Sequence, residues 1–135
     1  MDHFVQYHNP DGMRGTYKPA PKQFAIFTDK YFSTLQGATV WLVTGEGRPR
    51  QYSLCSTFEV DTIEHKKAGR FRFRVSGTVG RDFDPFIEIG ALPWFPELLK
   101  ATGNFAWFQH IHGEAVVSGL QRIAAAPRAL RVGQT

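Results

Sequence analysis

The sequence predicts an α+β domain that is mainly β, a small curled antiparallel β-barrel with two or three short helices. Three observations lead there. Short runs rich in β-branched and aromatic residues recur along the chain, separated by Gly, Pro and Asn turn signals. Residues 51–60 alternate, with Tyr52, Leu54, Ser56, Phe58 and Val60 on one face and Gln51, Ser53, Cys55, Thr57 and Glu59 on the other. Residues 70–75 alternate again, setting Arg70, Arg72 and Arg74 against Phe71, Phe73 and Val75. Five or six such strands form a twisted sheet that curls toward a barrel, with helices over its ends.

In chain order, residues 4–8 read as a first strand, stopped by the turn signal Asn9, Pro10, Asp11, Gly12. Residues 13–22 hold two prolines and basic residues and read as a loop. Residues 23–27 read as a short extended segment, and Thr28 or Asp29 as the cap of a short helix reaching Leu35. Residues 38–44 (Ala-Thr-Val-Trp-Leu-Val-Thr) have the β-branched content of a buried strand. After a turn at 45–49 comes the alternating strand of 51–60, taken as half-buried in an antiparallel sheet. Residues 64–69 read as an exposed turn and 76–81 as a glycine-rich loop. Pro85 suits an edge in the extended segment 83–89. Pro93 and Pro96 suit the first turn of a short helix that Gly103 and Asn104 stop. Residues 105–111 form an aromatic extended segment, and 113–123 fit either a helix or a strand. The expectation is one domain over residues 1–123, followed by a flexible tail at 124–135.

The chain has 135 residues, a size that buries a core in one domain. Hydrophobic residues make up 42% and charged residues 21%, which excludes the disordered class. The formal charge of +4 favours an anionic partner mildly. One cysteine, Cys55, cannot form an internal disulfide and reads as a buried thiol. The first residues lack the basic start and apolar run of a signal peptide, and no stretch has the length of a membrane helix. The expected location is cytoplasmic, away from membranes.

Several residue sets carry candidate chemistry. Arginines at i, i+2 and i+4 of a strand stand about 7 Å apart, close to the phosphate spacing of a nucleic-acid strand. Guanidinium suits phosphate. Arg70, Arg72 and Arg74 are therefore candidate phosphate contacts, together with Lys66, Lys67, Arg81, Arg48 and Arg50. Arg48 and Arg50 join them if residues 51–60 and 70–75 form a hairpin. The plain alternative is a solvated outer face paired with residues such as Glu59. Trp41, Trp94, Trp107, Phe108 and Tyr7 are candidates to line a pocket that stacks a base; the plain alternative is core packing. His110 and His112 share a strand face and, with Glu114, form an alternative metal set for a small hydrolase. No nucleophile elbow, phosphate-binding loop, His-Glu-x-x-His or paired-Cys motif occurs, so a non-enzyme with no cofactor and no metal is expected.

The run 40–43 (Val-Trp-Leu-Val), the turn Gly45, Glu46, Gly47, the strand after it, and Pro93, Trp94, Phe95 resemble the small PUA-like β-barrel domains, within that group the EVE, YTH and ASCH types. The chain also resembles the reader modules that precede HNH-type nuclease domains in some restriction proteins. The first strand lacks the tryptophan often seen in EVE domains. The resemblance implies a reader of DNA or RNA that holds a modified or flipped base in an aromatic pocket, with Trp41, Trp94 and Trp107 best placed to line it. It also implies a nuclease on a partner chain. A small-ligand or protein-interaction domain stays open as a third reading.

Overall fold

The computed structural model describes residues 2–8, 24–47, 49–67, 69, 71–103, 105 and 108–126. Eight strands and two helices follow in the order β1 (His3–His8), β2 (Phe24–Thr28), β3 (Thr39–Glu46), β4 (Gln51–Glu59), β5 (Thr62–His65), β6 (Phe73–Gly77), β7 (Gly80–Glu88), α1 (Phe95–Ala101), β8 (Gln109–Ile111) and α2 (Glu114–Ala125). Among the described residues the protein is thus mainly β, with two helices. The helix expected over 28–35 is instead the end of β2 followed by turns. β5 (Thr62–His65) extends into the start of the segment 64–69 that reads as a turn in the sequence. Residues 113–123 resolve to a helix, and it runs two residues into the expected tail; 127–135 lie outside the described residues.

The strands form two sheets, β7-β4-β3-β1-β8 and β2-β6-β5, and among the described residues neither closes into a barrel. One pairing departs from the antiparallel expectation: β1 runs parallel to β3, with Val5 opposite Trp41. The reason is the route of the chain. After β1 it contributes β2 to the small sheet before returning as β3, and such a crossover restores the original direction. The expected hairpin between residues 51–60 and 70–75 is also absent. β4 pairs with β3 and β7, while β6 pairs with β2 and β5.

The five-stranded sheet is covered on both faces. On one face Val5, Trp41, Val43, Leu54 and Phe83 pack against Phe95 and Leu98 of α1 and Val116 and Leu120 of α2. On the other face Phe4, Val40, Leu42, Phe58 and Phe108 pack against Ile26 and Val75 of the small sheet. This explains why the alternation in residues 51–60 misleads. A bulge at Cys55 resets the pleat, so Tyr52 and Leu54 face the helices whereas Phe58 and Val60 face the small sheet. Both halves of the strand are core, and neither face is simply wet.

Two glycines hold layers close. A Cβ on Gly77 would lie 1.9 Å from the Glu59 carbonyl oxygen, where the small sheet abuts the end of β4. A Cβ on Gly119 would lie 2.1 Å from the Trp94 indole nitrogen, so only glycine lets α2 lie on that ring. Pro85 lies on β7, an edge strand, as expected for a residue with no N–H.

Candidate nucleic-acid interface

The small sheet presents its outer face away from the core. Strand alternation turns Ile26, Phe73 and Val75 inward and Phe27, Arg74 and Glu64 outward, and register sets those last three side by side across β2, β6 and β5. Arg74 pairs with Glu64 at 3.2 Å and also donates to Ser76 Oγ at 3.3 Å. Beyond this row, the Lys66 amide donates to the Arg72 carbonyl at 2.7 Å, so the two basic residues stand opposite each other. Asp29 orders the same end of the sheet by accepting the Arg72 amide at 3.0 Å. Lys66 Nζ lies 5.6 Å from the centre of the Phe27 ring. Phe27 is 43% exposed, unusual for a phenylalanine on a sheet whose other face has a core to enter.

The arginine strand therefore survives in shorter form. β6 begins at Phe73, with Arg72 in the bend before it. Lys66, Lys67 and Arg72 are exposed, and none makes an ion pair among the described residues. Arg70 and Arg48 lie outside the described residues. Two expected phosphate contacts are committed elsewhere. Arg50 donates to Tyr7 Oη at 3.0 Å and to the Gly45 carbonyl at 3.2 Å, on the helix-facing side of the large sheet. Arg81 donates to the carbonyls of Ala124 and Ala126 at the C-terminal end of α2, and its guanidinium lies 5.3 Å from the Phe83 ring. A cation there satisfies carbonyls that a helix end leaves unpaired.

Among the described residues, the tryptophans lie on the helix side of the large sheet and not beside the cationic face. Trp41 is 2% exposed in the helix-side core, and its indole N–H donates to His3 Nδ1 at 3.0 Å. Burial pushes the His3 imidazole below its ordinary pKa, which keeps that acceptor unprotonated. Trp94 belongs to the same core, on the far side of the large sheet from the cationic face. Tyr7 stacks on Phe105 with ring centres 5.2 Å apart, again on the helix side. Trp107 lies outside the described residues. Of the expected set, Phe108 alone among the described residues reaches the side of the small sheet, stacked on Phe4 with ring centres 5.1 Å apart.

A different cleft opens beside Phe108. It has a volume of about 260 Å³ and is lined by Gln6, Phe27, Thr28, Asp29, Lys30, Phe71 and Phe108. It lies between β1 and the edge strand β2, next to the approach to β8. Three phenylalanines supply apolar wall; Asp29 and Lys30 supply charge at the mouth. Gln6 Oε1 is buried and has no hydrogen-bond partner. An orphan acceptor of this kind costs about 1–3 kcal/mol, which an incoming N–H group would recover. Phe27 belongs both to this cleft and to the cationic face, so the two are continuous. Apart from Phe108, sequence reading missed the cleft, because its residues come from four separated segments and none carries a motif. Its signal was Gln6, a polar residue between Val5 and Tyr7 in the first strand.

The metal set is not assembled. His110 and His112 meet edge to face with ring centres 4.1 Å apart, and His110 Nε2 lies 3.6 Å from Asp2. Glu114 begins α2, and among the described residues no three His, Cys, Asp or Glu side chains form a metal-holding group. Burial pushes the Cys55 thiol up to about 12, which removes it as a nucleophile near neutral pH. No described helix is long and apolar enough to cross a membrane. In comparisons with known proteins, no family model matches this chain, and neither a curated protein nor a solved structure matches it significantly.

Proposed function

We propose that this chain is a nucleic-acid-binding module that takes one unpaired base into the Gln6 cleft and holds the adjoining backbone on the outer face of the small sheet. The observation that carries the reading is Phe27. It is an exposed ring among Lys66, Arg72 and Arg74 that also forms one wall of a cleft holding an unpaired acceptor. Exposed rings beside cations are what base stacking and phosphate contact together require. The cleft is slightly smaller than pockets that enclose drug-sized ligands, which suits a single flat ring system. Gln6 Oε1 accepts from an N–H on the edge of that ring, and Phe71, Phe27 and Phe108 bound its faces.

The same reading keeps kinship with the PUA-like barrels as a proposal. What supports it is a mainly β domain of this size with two short helices. Under this reading the phosphate set is Lys66, Lys67, Arg72 and, once released from Glu64, Arg74. A nuclease on a partner chain would act on what this module holds.

Fluorescence anisotropy with short single-stranded DNA and RNA, plain and base-modified, tests the proposal at low salt. Binding is expected, and Phe27→Ala should weaken it about tenfold, since one base–aromatic stack is worth about 1–3 kcal/mol. Gln6→Leu should flatten the preference among bases and leave folding intact, because it removes a buried acceptor that has nothing to lose. Absence of binding to every oligonucleotide at low salt would refute the proposal.

A further inference from the structure

Next to the base cleft is a second hollow of about 620 Å³, lined by Lys30, Tyr31, Phe32, Ala101, Gln109, His110 and His112. Lys30 lines both. Two features of the hollow are unexplained by packing. Tyr31 is 59% exposed although Phe73, with ring centres 5.7 Å apart, offers it a partner. His110 and His112 converge on one spot, His110 resting on Phe4 with ring centres 4.8 Å apart and His112 exposed.

We propose that this hollow is an anion subsite that takes the phosphate joining the base in the Gln6 cleft to its neighbour, with Tyr31 as the platform for that neighbouring base. It rests on the nucleic-acid reading above. Lys30 Nζ supplies a fixed positive charge between the two pockets. His112 supplies an N–H donor from the strand side. The charged and titratable groups that face the pair among the described residues are Asp2, Lys30, Tyr31 and His3. Asp2 opposes the anion. It lies 3.6 Å from His110 and engages that side chain, which leaves Lys30 and His112 to meet the phosphate. The arrangement confines the recognised strand to one that can pass from Phe27 to Tyr31 with two bases unstacked, which is a single strand rather than a duplex.

The test has two arms. In the first, inorganic phosphate is titrated at pH 6.0 while the imidazole C–H resonances of His110 and His112 are followed by NMR. A saturable shift of His112 is expected, weakened by Lys30→Ala and strengthened by Asp2→Asn. No saturable shift would overturn the subsite, whether or not oligonucleotides bind elsewhere. In the second arm, a short single-stranded oligonucleotide is bound by the wild-type chain and by His112→Gln at one pH and one ionic strength. The wild-type chain should bind about tenfold more tightly, the ratio for roughly one charge-assisted hydrogen bond. Equal affinity of the two chains, with binding intact, would overturn the subsite and leave the base cleft standing. Phosphate binding without any oligonucleotide binding would overturn both readings as stated here. His112 is exposed, so its replacement leaves the core untouched.

Discussion

Replacing Glu64 by Gln should increase the number of phosphates the small sheet can hold, and the increase has a definite size. Glu64 pairs with Arg74 at 3.2 Å across β5 and β6. Three other cations on this side, Lys66, Lys67 and Arg72, make no such pair among the described residues. For a single strand, log affinity falls against log salt with a slope of roughly −0.7 per phosphate neutralised. Three contacts give a slope of about −2.1, so raising salt fourfold weakens binding about 18-fold. Glu64→Gln releases Arg74 as a fourth contact, steepening the slope to about −2.8 and the loss to about 48-fold. Arg72→Ala removes one, giving a slope of about −1.4 and a loss of about sevenfold. Stability should hardly change in the Gln variant, because an exposed ion pair contributes about 0–1 kcal/mol. The assay is a set of binding isotherms from 50 to 200 mM salt, with denaturant unfolding as the control. If neither substitution moves the slope while binding persists, the cations of this face do not meet phosphate and the proposed orientation of the strand fails.

Two substitutions test the packing that positions the site. Gly77→Ala puts a methyl group 1.9 Å from the Glu59 carbonyl oxygen, a backbone atom that no rotamer change can remove, and should cost about 3 kcal/mol in denaturant unfolding. Gly37→Ala has a positive φ of 83° but nothing within 4 Å, so it should cost only the left-handed penalty of about 1 kcal/mol; equal losses at both positions would show that the sheets do not meet at Gly77. Asp82 concerns pH. Its Oδ1 is buried without a hydrogen-bond partner, and burial raises its pKa above the ordinary aspartate value. A raised carboxyl pKa contributes stability below the unfolded value that is lost as pH rises through the folded one. Asp82→Asn should therefore melt higher than wild type at pH 7, by about 1 kcal/mol of unfolding free energy, with the advantage shrinking toward pH 4. An advantage that is the same at both pH values would refute the burial argument.

Much of this protein is set by local patterning that needs no tertiary partner. The β-branched run at 38–44, the arginine–apolar alternation near 73–75 and the prolines opening α1 each declare their element through periodicity or backbone restriction, and each element forms. The cationic face follows from the same period of two, since any strand with Phe73 and Val75 inward must turn Arg74 outward. What covers each face of a strand is not local. Tyr52 and Phe58 alternate in sequence as if they shared a face, yet the Cys55 bulge and the two-sided burial of the large sheet send them to opposite cores. Trp41 and Trp94 have the composition of a stacking pocket, and only the packing of α1 and α2 shows that they belong to the helix-side core. Arg81 and Arg50 carry the same charge as Arg72, but a helix end claims one and the Tyr7 hydroxyl and Gly45 carbonyl claim the other. The cleft belongs wholly to tertiary structure. Gln6, Phe27, Phe71 and Phe108 are far apart along the chain, and they line one pocket only because the crossover through β2 brings an edge of the small sheet beside β1. The arrangement of the two sheets decides which exposed ring and which unpaired acceptor a ligand can reach together.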